Sequence, residues 1–116
     1  MQALLVLSTC PDEASATRIA MTLVQERLAA CVTRLPGAHS VYRWQGAIEQ
    51  ADEVQLLIKT TPAGFAPLRA RLLALHPDTL PEILALPVAD GHAPYLDWLA
   101  AQVAPAAEQP LPESPR

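Results

Sequence analysis

The stretch CVTRLPGAHSVYRWQGAIEQADEVQLLIKTT, residues 31–61, decides the fold. At its centre Gln45-Gly46 is a turn signal between two runs that read as strands. Val41, Tyr42 and Trp44 are strand formers, with Arg43 interleaved. After the turn, Ile48, Gln50, Asp52, Val54, Leu56 and Ile58 point one way, and Glu49, Ala51, Glu53, Gln55, Leu57 and Lys59 the other. The second set is mostly polar, so one face is buried and one partly wet. Pro36-Gly37 interrupts the first arm, which a strand tolerates at a bulge or an edge. Extended arms of about 14 residues make a hairpin about 45 Å long. A domain of about 100 residues is only about 33 Å across. The hairpin outruns its own domain. A projecting two-stranded ribbon is marginal alone and its edges invite another chain, so the sequence predicts self-assembly.

Outward from the hairpin, Ala3–Ser8 is a continuous apolar run, as expected of a strand covered on both sides. Pro11 suits the first turn of a following helix, with Asp12 and Glu13 at its positive end. Ala16, Ile19, Ala20, Leu23, Val24 and Leu28 form its apolar stripe, and Glu26 and Arg27 face solvent. A second helix starts near Gly64, which keeps Pro67 in its first turn. Its stripe is Phe65, Leu68, Leu72 and Leu75, and His76-Pro77-Asp78 ends it. A short strand from Glu82 to Val88 and a short helix opened by Pro94 complete the domain. The order β–α–β–β–α–β is the split βαβ, or ferredoxin-like, pattern of the α+β class. It predicts an antiparallel sheet in the order 4-1-3-2, helices on one face, a long projecting hairpin and a short C-terminal helix. Residues 1–104 make this domain, and 105–116, PAAEQPLPESPR, read as a disordered, dispensable tail.

At 116 residues the chain is one domain with room for a core. Its net charge of −4 and lack of a basic cluster argue against a nucleic-acid partner. No apolar run reaches the about 20 residues needed to span a bilayer, and the start lacks a positive leader region. Two cysteines in such a chain point to the cytoplasm and to free thiols. A Cys10–Cys31 disulfide is not expected, because strand 3 separates their strands by about 10 Å. There is no Gly-rich phosphate loop, GxSxG or HExxH, so no enzyme is expected.

The ordered set Ser8-Thr9-Cys10-Pro11-Asp12-Glu13-Ala14, Glu26 to Val32, Pro36-Gly37, Ser40 to Gly46, Ile58 to Thr61, His76-Pro77, Pro81-Glu82-Ile83 and Tyr95 to Leu99 resembles the CutA family of divalent-ion tolerance proteins. The resemblance covers residues 3 to about 102. It implies a stable homotrimer of ferredoxin-like subunits joined edge to edge, akin in architecture to the PII signalling proteins. It also implies a link to copper tolerance and metal binding. Better-known members carry Cys where this chain has Ser8, and a His-His-Pro run where it has Leu75-His76-Pro77.

Soft copper(I) favours thiolate, and copper(II) favours imidazole with carboxylate. Cys10, His76 and Glu82 are therefore the candidate ligands of a weak copper or other divalent-cation site, no cofactor being required. The plainer reading makes Cys10 a buried small residue, His76 a cation at a helix C-terminus and Glu82 a solvated carboxylate. Tyr42 and Trp44 line a ligand cleft or anchor a trimer interface. Tyr95 and Trp98 pack the last helix on a neighbouring edge, and Lys59 is a lone cation for an anionic ligand. The function expected is metal binding by a trimer. The alternative is a PII-like sensor with a small metabolite in the clefts between subunits.

Overall fold

The structure, a computed structural model, describes residues 2–105. Residues 106–116 of the expected tail lie outside the described residues. The elements run β1 (Leu4–Cys10), α1 (Glu13–Gln25), β2 (Cys31–Trp44), β3 (Ala47–Thr60), α2 (Pro62–Leu75), β4 (Leu84–Pro87) and α3 (Ala93–Gln102). The four strands form one antiparallel sheet in the order β2-β3-β1-β4, as the sequence pattern predicts.

Alternation along the strands sorts the sheet into two faces. Val6 and Cys10 of β1 and Val54, Leu56 and Ile58 of β3 meet Ala16, Ile19 and Leu23 of α1 and Leu68 and Leu72 of α2 in the main core. The opposite face carries Leu5, Leu7 and Thr9 from β1, with Gln55, Leu57 and Lys59 from β3, all half-buried. Leu84 and Leu86 of β4 pair with Leu7 and Leu5 and extend that face. The expectation of two covered faces for β1 thus holds for one only within a subunit. Helices α1 and α2 pack on the same side, and the other is open except where Tyr95 of α3 meets Lys59.

Three local readings are corrected. Asp12 is the N-cap of α1, its carboxylate accepting from the Ser15 amide at 2.8 Å, so Pro11 precedes the helix. Helix α2 begins at Pro62, capped by Thr61, which places Pro67 beyond the first turn. Pro67 therefore leaves the Ala63 carbonyl without its helical N–H partner. Glu26 and Arg27 do not simply face solvent. Glu26 forms a two-point ion pair with Arg71 across to α2 (2.9 and 3.0 Å). Arg27 sits in the left-handed region at φ 58° and donates to the Ala101 and Gln102 carbonyls that end α3.

The hairpin turns through Gln45 (φ 49°) and Gly46 (φ 83°), both left-handed, which matches the twist of the two arms. β1 pairs with β3 only along Val54–Thr60, so Ala47–Glu53 has β2 as its sole neighbouring strand. Every residue from Val41 to Gln50 is exposed. The long axis of the molecule is 43 Å.

Candidate functional site

Pro36-Gly37 is a bulge: Leu35 pairs with Gln55 and Ala38 with Glu53, leaving two residues opposite one. Gly37 at φ 83° supplies the bend. Its effect on the site is a change of phase. Before it, odd-numbered Cys31, Thr33 and Leu35 share the open face with Leu57 and Gln55. After it, even-numbered Ala38, Ser40, Tyr42 and Trp44 do. The bulge therefore carries both aromatic rings onto the face that holds Thr9 and Glu53.

Across from the rings runs the loop after α2. His76 holds it down: the side chain is fully buried, Nε2 donates to the Thr9 carbonyl at 2.7 Å, and Nδ1 accepts from the Asp78 amide at 3.0 Å. An amide can only donate and a carbonyl only accept, so the ring is the neutral Nε2–H tautomer. Between this loop and the ribbon lies an open groove of about 870 Å³. Thr9, Ser40, Tyr42, Trp44 and Glu53 form one wall, and Pro77 to Glu82 the other. Among the described residues, Glu53, Asp78 and Glu82 are its only charged lining residues, so it attracts cations.

The expected metal ligands are placed as follows. Both ring nitrogens of His76 are engaged, so it offers no lone pair, and it is not the helix-end cation of the plainer reading. Cys10 lies on the helix-covered face and is fully buried. Burial is the main reason its thiol is pushed up to about 11, which keeps it protonated at neutral pH. Glu82 alone reaches the groove. Among the described residues, no three His, Cys, Asp or Glu side chains are gathered so as to hold a metal ion. Ser8 also faces the core, with its hydroxyl fully buried and without a hydrogen-bond partner among the described residues. Leu75 is half-buried beside the core.

The five residues read as cleft or interface divide into two groups. Tyr42 and Trp44 line the groove, 44% and 41% exposed. Lys59, Tyr95 and Trp98 lie toward the other end of the sheet, since Lys59 pairs with Leu5 whereas Gln55 pairs with Thr9. The Lys59 ammonium donates to the Tyr95 hydroxyl at 3.0 Å and lies 5.3 Å from the ring centroid. That hydrogen bond is the main cause that raises its pKa. Trp98 stacks obliquely on Tyr95 at 5.5 Å.

Sequence reasoning missed the ribbon's own clamp. His39 bridges Asp52 (Nδ1–Oδ1 2.7 Å) and Gln50 (Nε2–Oε1 2.8 Å) on the face opposite the groove. Its register partner Asp52 was the available signal, but it needs the bulge to be placed first. Both cysteines are free thiols. Among the described residues no helix is long and apolar enough to cross a membrane.

The family model described as "CutA1 divalent ion tolerance protein" matches residues 4–102. The "Divalent-cation tolerance protein CutA" of Thermus thermophilus is 55% identical over 94 residues, covering 81% of this chain and 91% of that protein. The crystal structure of CutA from Xylella fastidiosa superposes with a TM-score of 0.87 at 52% identity, over 90% of this chain and all of that one. The "Periplasmic divalent cation tolerance protein CutA" of Archaeoglobus fulgidus gives 0.85 at 36% identity, over 88% and 99% of the two chains.

Proposed function

This chain belongs to the CutA1 divalent ion tolerance family, and from that membership we propose that it serves divalent-cation tolerance as a homotrimer that binds metal ions weakly and catalyses nothing. The observation that carries the cation reading is the groove: three carboxylates on its walls and, among the described residues, no Lys, Arg or His. Carboxylate, hydroxyl and carbonyl oxygens are hard donors, which suit copper(II) and harder divalent ions better than copper(I). One subunit does not complete a coordination set, so a neighbouring subunit or water supplies the remaining ligands.

Assembly is supported by the open sheet face. Leu5, Leu7, Leu35, Leu57, Leu84 and Leu86 are each half-buried or exposed there, which holds back part of their burial energy. A fully buried leucine contributes about 1.5–3 kcal/mol, so a third to a half of that from each of the six gives about 3–9 kcal/mol. Association costs about 4–15 kcal/mol, so this face is marginal alone and the projecting ribbon has to contribute. The two free edges, β2 and β4, are different strands. Pairing one with the other on the next subunit is a head-to-tail contact, which closes into a ring of three where each step rotates by a third of a turn. A cytoplasmic setting is supported by the two free thiols.

Light scattering at micromolar concentration should give the trimer mass, and a monomer would end the assembly reading. Native mass spectrometry with copper(II) should show weak binding that Glu53→Gln with Glu82→Gln removes. Binding that survives this double change would place the metal elsewhere. Cell fractionation tests the compartment.

A further inference from the structure

The chain has three histidines. His76 is closed, since both of its nitrogens bond the backbone. His92, at the start of α3, forms no ion pair among the described residues. His39 differs from both. It lies on the overhanging ribbon, on the face opposite the acidic groove and the open leucine face. Its side chain is 51% exposed, and that of its register partner Asp52 is 91% exposed.

The two ring nitrogens have distinct partners. A carboxylate only accepts, so Nδ1–H donates to Asp52 Oδ1 at 2.7 Å. Nε2–H donates to Gln50 Oε1 at 2.8 Å. The second bond is the outer support common to metal-binding histidines: it fixes the ring and leaves the Nδ1 lone pair for an ion once the Nδ1 proton is gone. Donors bound to such an ion at about 2.0–2.2 Å stand about 3 Å apart when adjacent in its shell. The existing Nδ1–Oδ1 separation is close to that, and both exposed side chains have room to turn. Toward the tip this face carries Val41 and Arg43 on β2 and Gln50 and Ile48 on β3. Its nearest cation, Arg43, is thus two pairs away.

We propose that His39 Nδ1 and the Asp52 carboxylate chelate a borderline divalent cation of the copper(II) or zinc type, which takes the place of the Nδ1 proton. Imidazole with carboxylate suits such ions. Two protein donors make a weak site, and water fills the rest of the shell. It supplies nitrogen where the groove offers oxygen alone.

The test is copper(II) titration of the full-length protein read by pulsed electron paramagnetic resonance, in which the remote nitrogen of a bound imidazole modulates the echo. At pH 7.5 the modulation should appear in the wild type, in Glu53→Gln with Glu82→Gln, and in His92→Gln. His39→Gln should abolish it. Asp52→Asn should weaken the nitrogen-ligated copper at least about tenfold, since losing even an outer partner of a ligating histidine costs about 10–100-fold. At pH 6 the proton holds the place of the ion, so copper bound there reports the groove alone and the groove substitutions are read at that pH. Both ribbon variants change exposed side chains and should keep the wild-type circular dichroism spectrum. No modulation at pH 7.5, modulation that survives His39→Gln, or unchanged affinity in Asp52→Asn would each overturn the proposal. None of these results touches the groove, and failure of the groove at pH 6 would leave the ribbon site standing.

Discussion

Two residues show how single polar groups shape this domain. The Ser8 hydroxyl is buried without a partner, between Val6 and Cys10 on the core face of β1. An unsatisfied buried hydroxyl costs about 1–3 kcal/mol, whereas the one atom lost in Ser8→Ala leaves little void. Ser8→Ala should therefore raise unfolding free energy by about 1 kcal/mol, read from the urea midpoint at unchanged slope. A lower midpoint would mean that the hydroxyl has a partner. His39 acts in the opposite sense, in the open. Its hydrogen bonds to Gln50 and then Asp52 raise its pKa above 6.5. The stabilisation is complete below that unfolded value and is lost as pH rises through the higher folded value. In an NMR titration His39 should titrate above 6.5, and Asp52→Asn should bring it down. A titration at or below 6.5 in the wild type would dismiss the clamp.

At the scale of elements, α2 packs tightly against what surrounds its first turn. A methyl group built on Gly64 would lie 2.7 Å from Thr60 Oγ1 and 2.9 Å from Val103 Cγ1. Alanine would gain about 1 kcal/mol in helix propensity, but overpacking costs about 1–3 kcal/mol. Gly64→Ala should thus lower the melting temperature, and an increase would show that α2 shifts freely. The elements themselves were legible because each writes its period into the sequence: alternation in β3, spacings of three and four in α1, and a Gln-Gly turn between equal arms. Legibility failed where meaning depends on partners distant in the chain. Glu26 and Arg27 look like solvated charges until Arg71 and the end of α3 are brought beside them. His76 looks like a helix-end cation until Thr9, 67 residues away, offers its carbonyl. The acidic groove was half readable: Tyr42, Trp44 and Glu82 stand out in the sequence, while Asp78 and Glu53 do not. Only the bulge places the rings and Glu53 on one face.

For the whole molecule, the proposed trimer makes Trp44 a test of where stability resides. It is 41% exposed near the ribbon tip and is not a member of the main core. If a neighbouring subunit buries it fully, Trp44→Ala should weaken assembly by about 3–5 kcal/mol and leave the subunit's secondary structure intact. An unchanged concentration dependence of the trimer would remove Trp44 from the interface. The overhang has a mechanical side as well. Force applied across the Gln45-Gly46 turn peels β2 from β3 rung by rung, so only a few hydrogen bonds resist at any moment. Force applied along the strands loads the whole ladder at once. Peeling a lone subunit should run easily from the tip to Glu53 and meet a harder stop at Val54, where β1 joins as a third strand. In an optical trap the ribbon would open as a soft hinge, with its latch where the third strand begins.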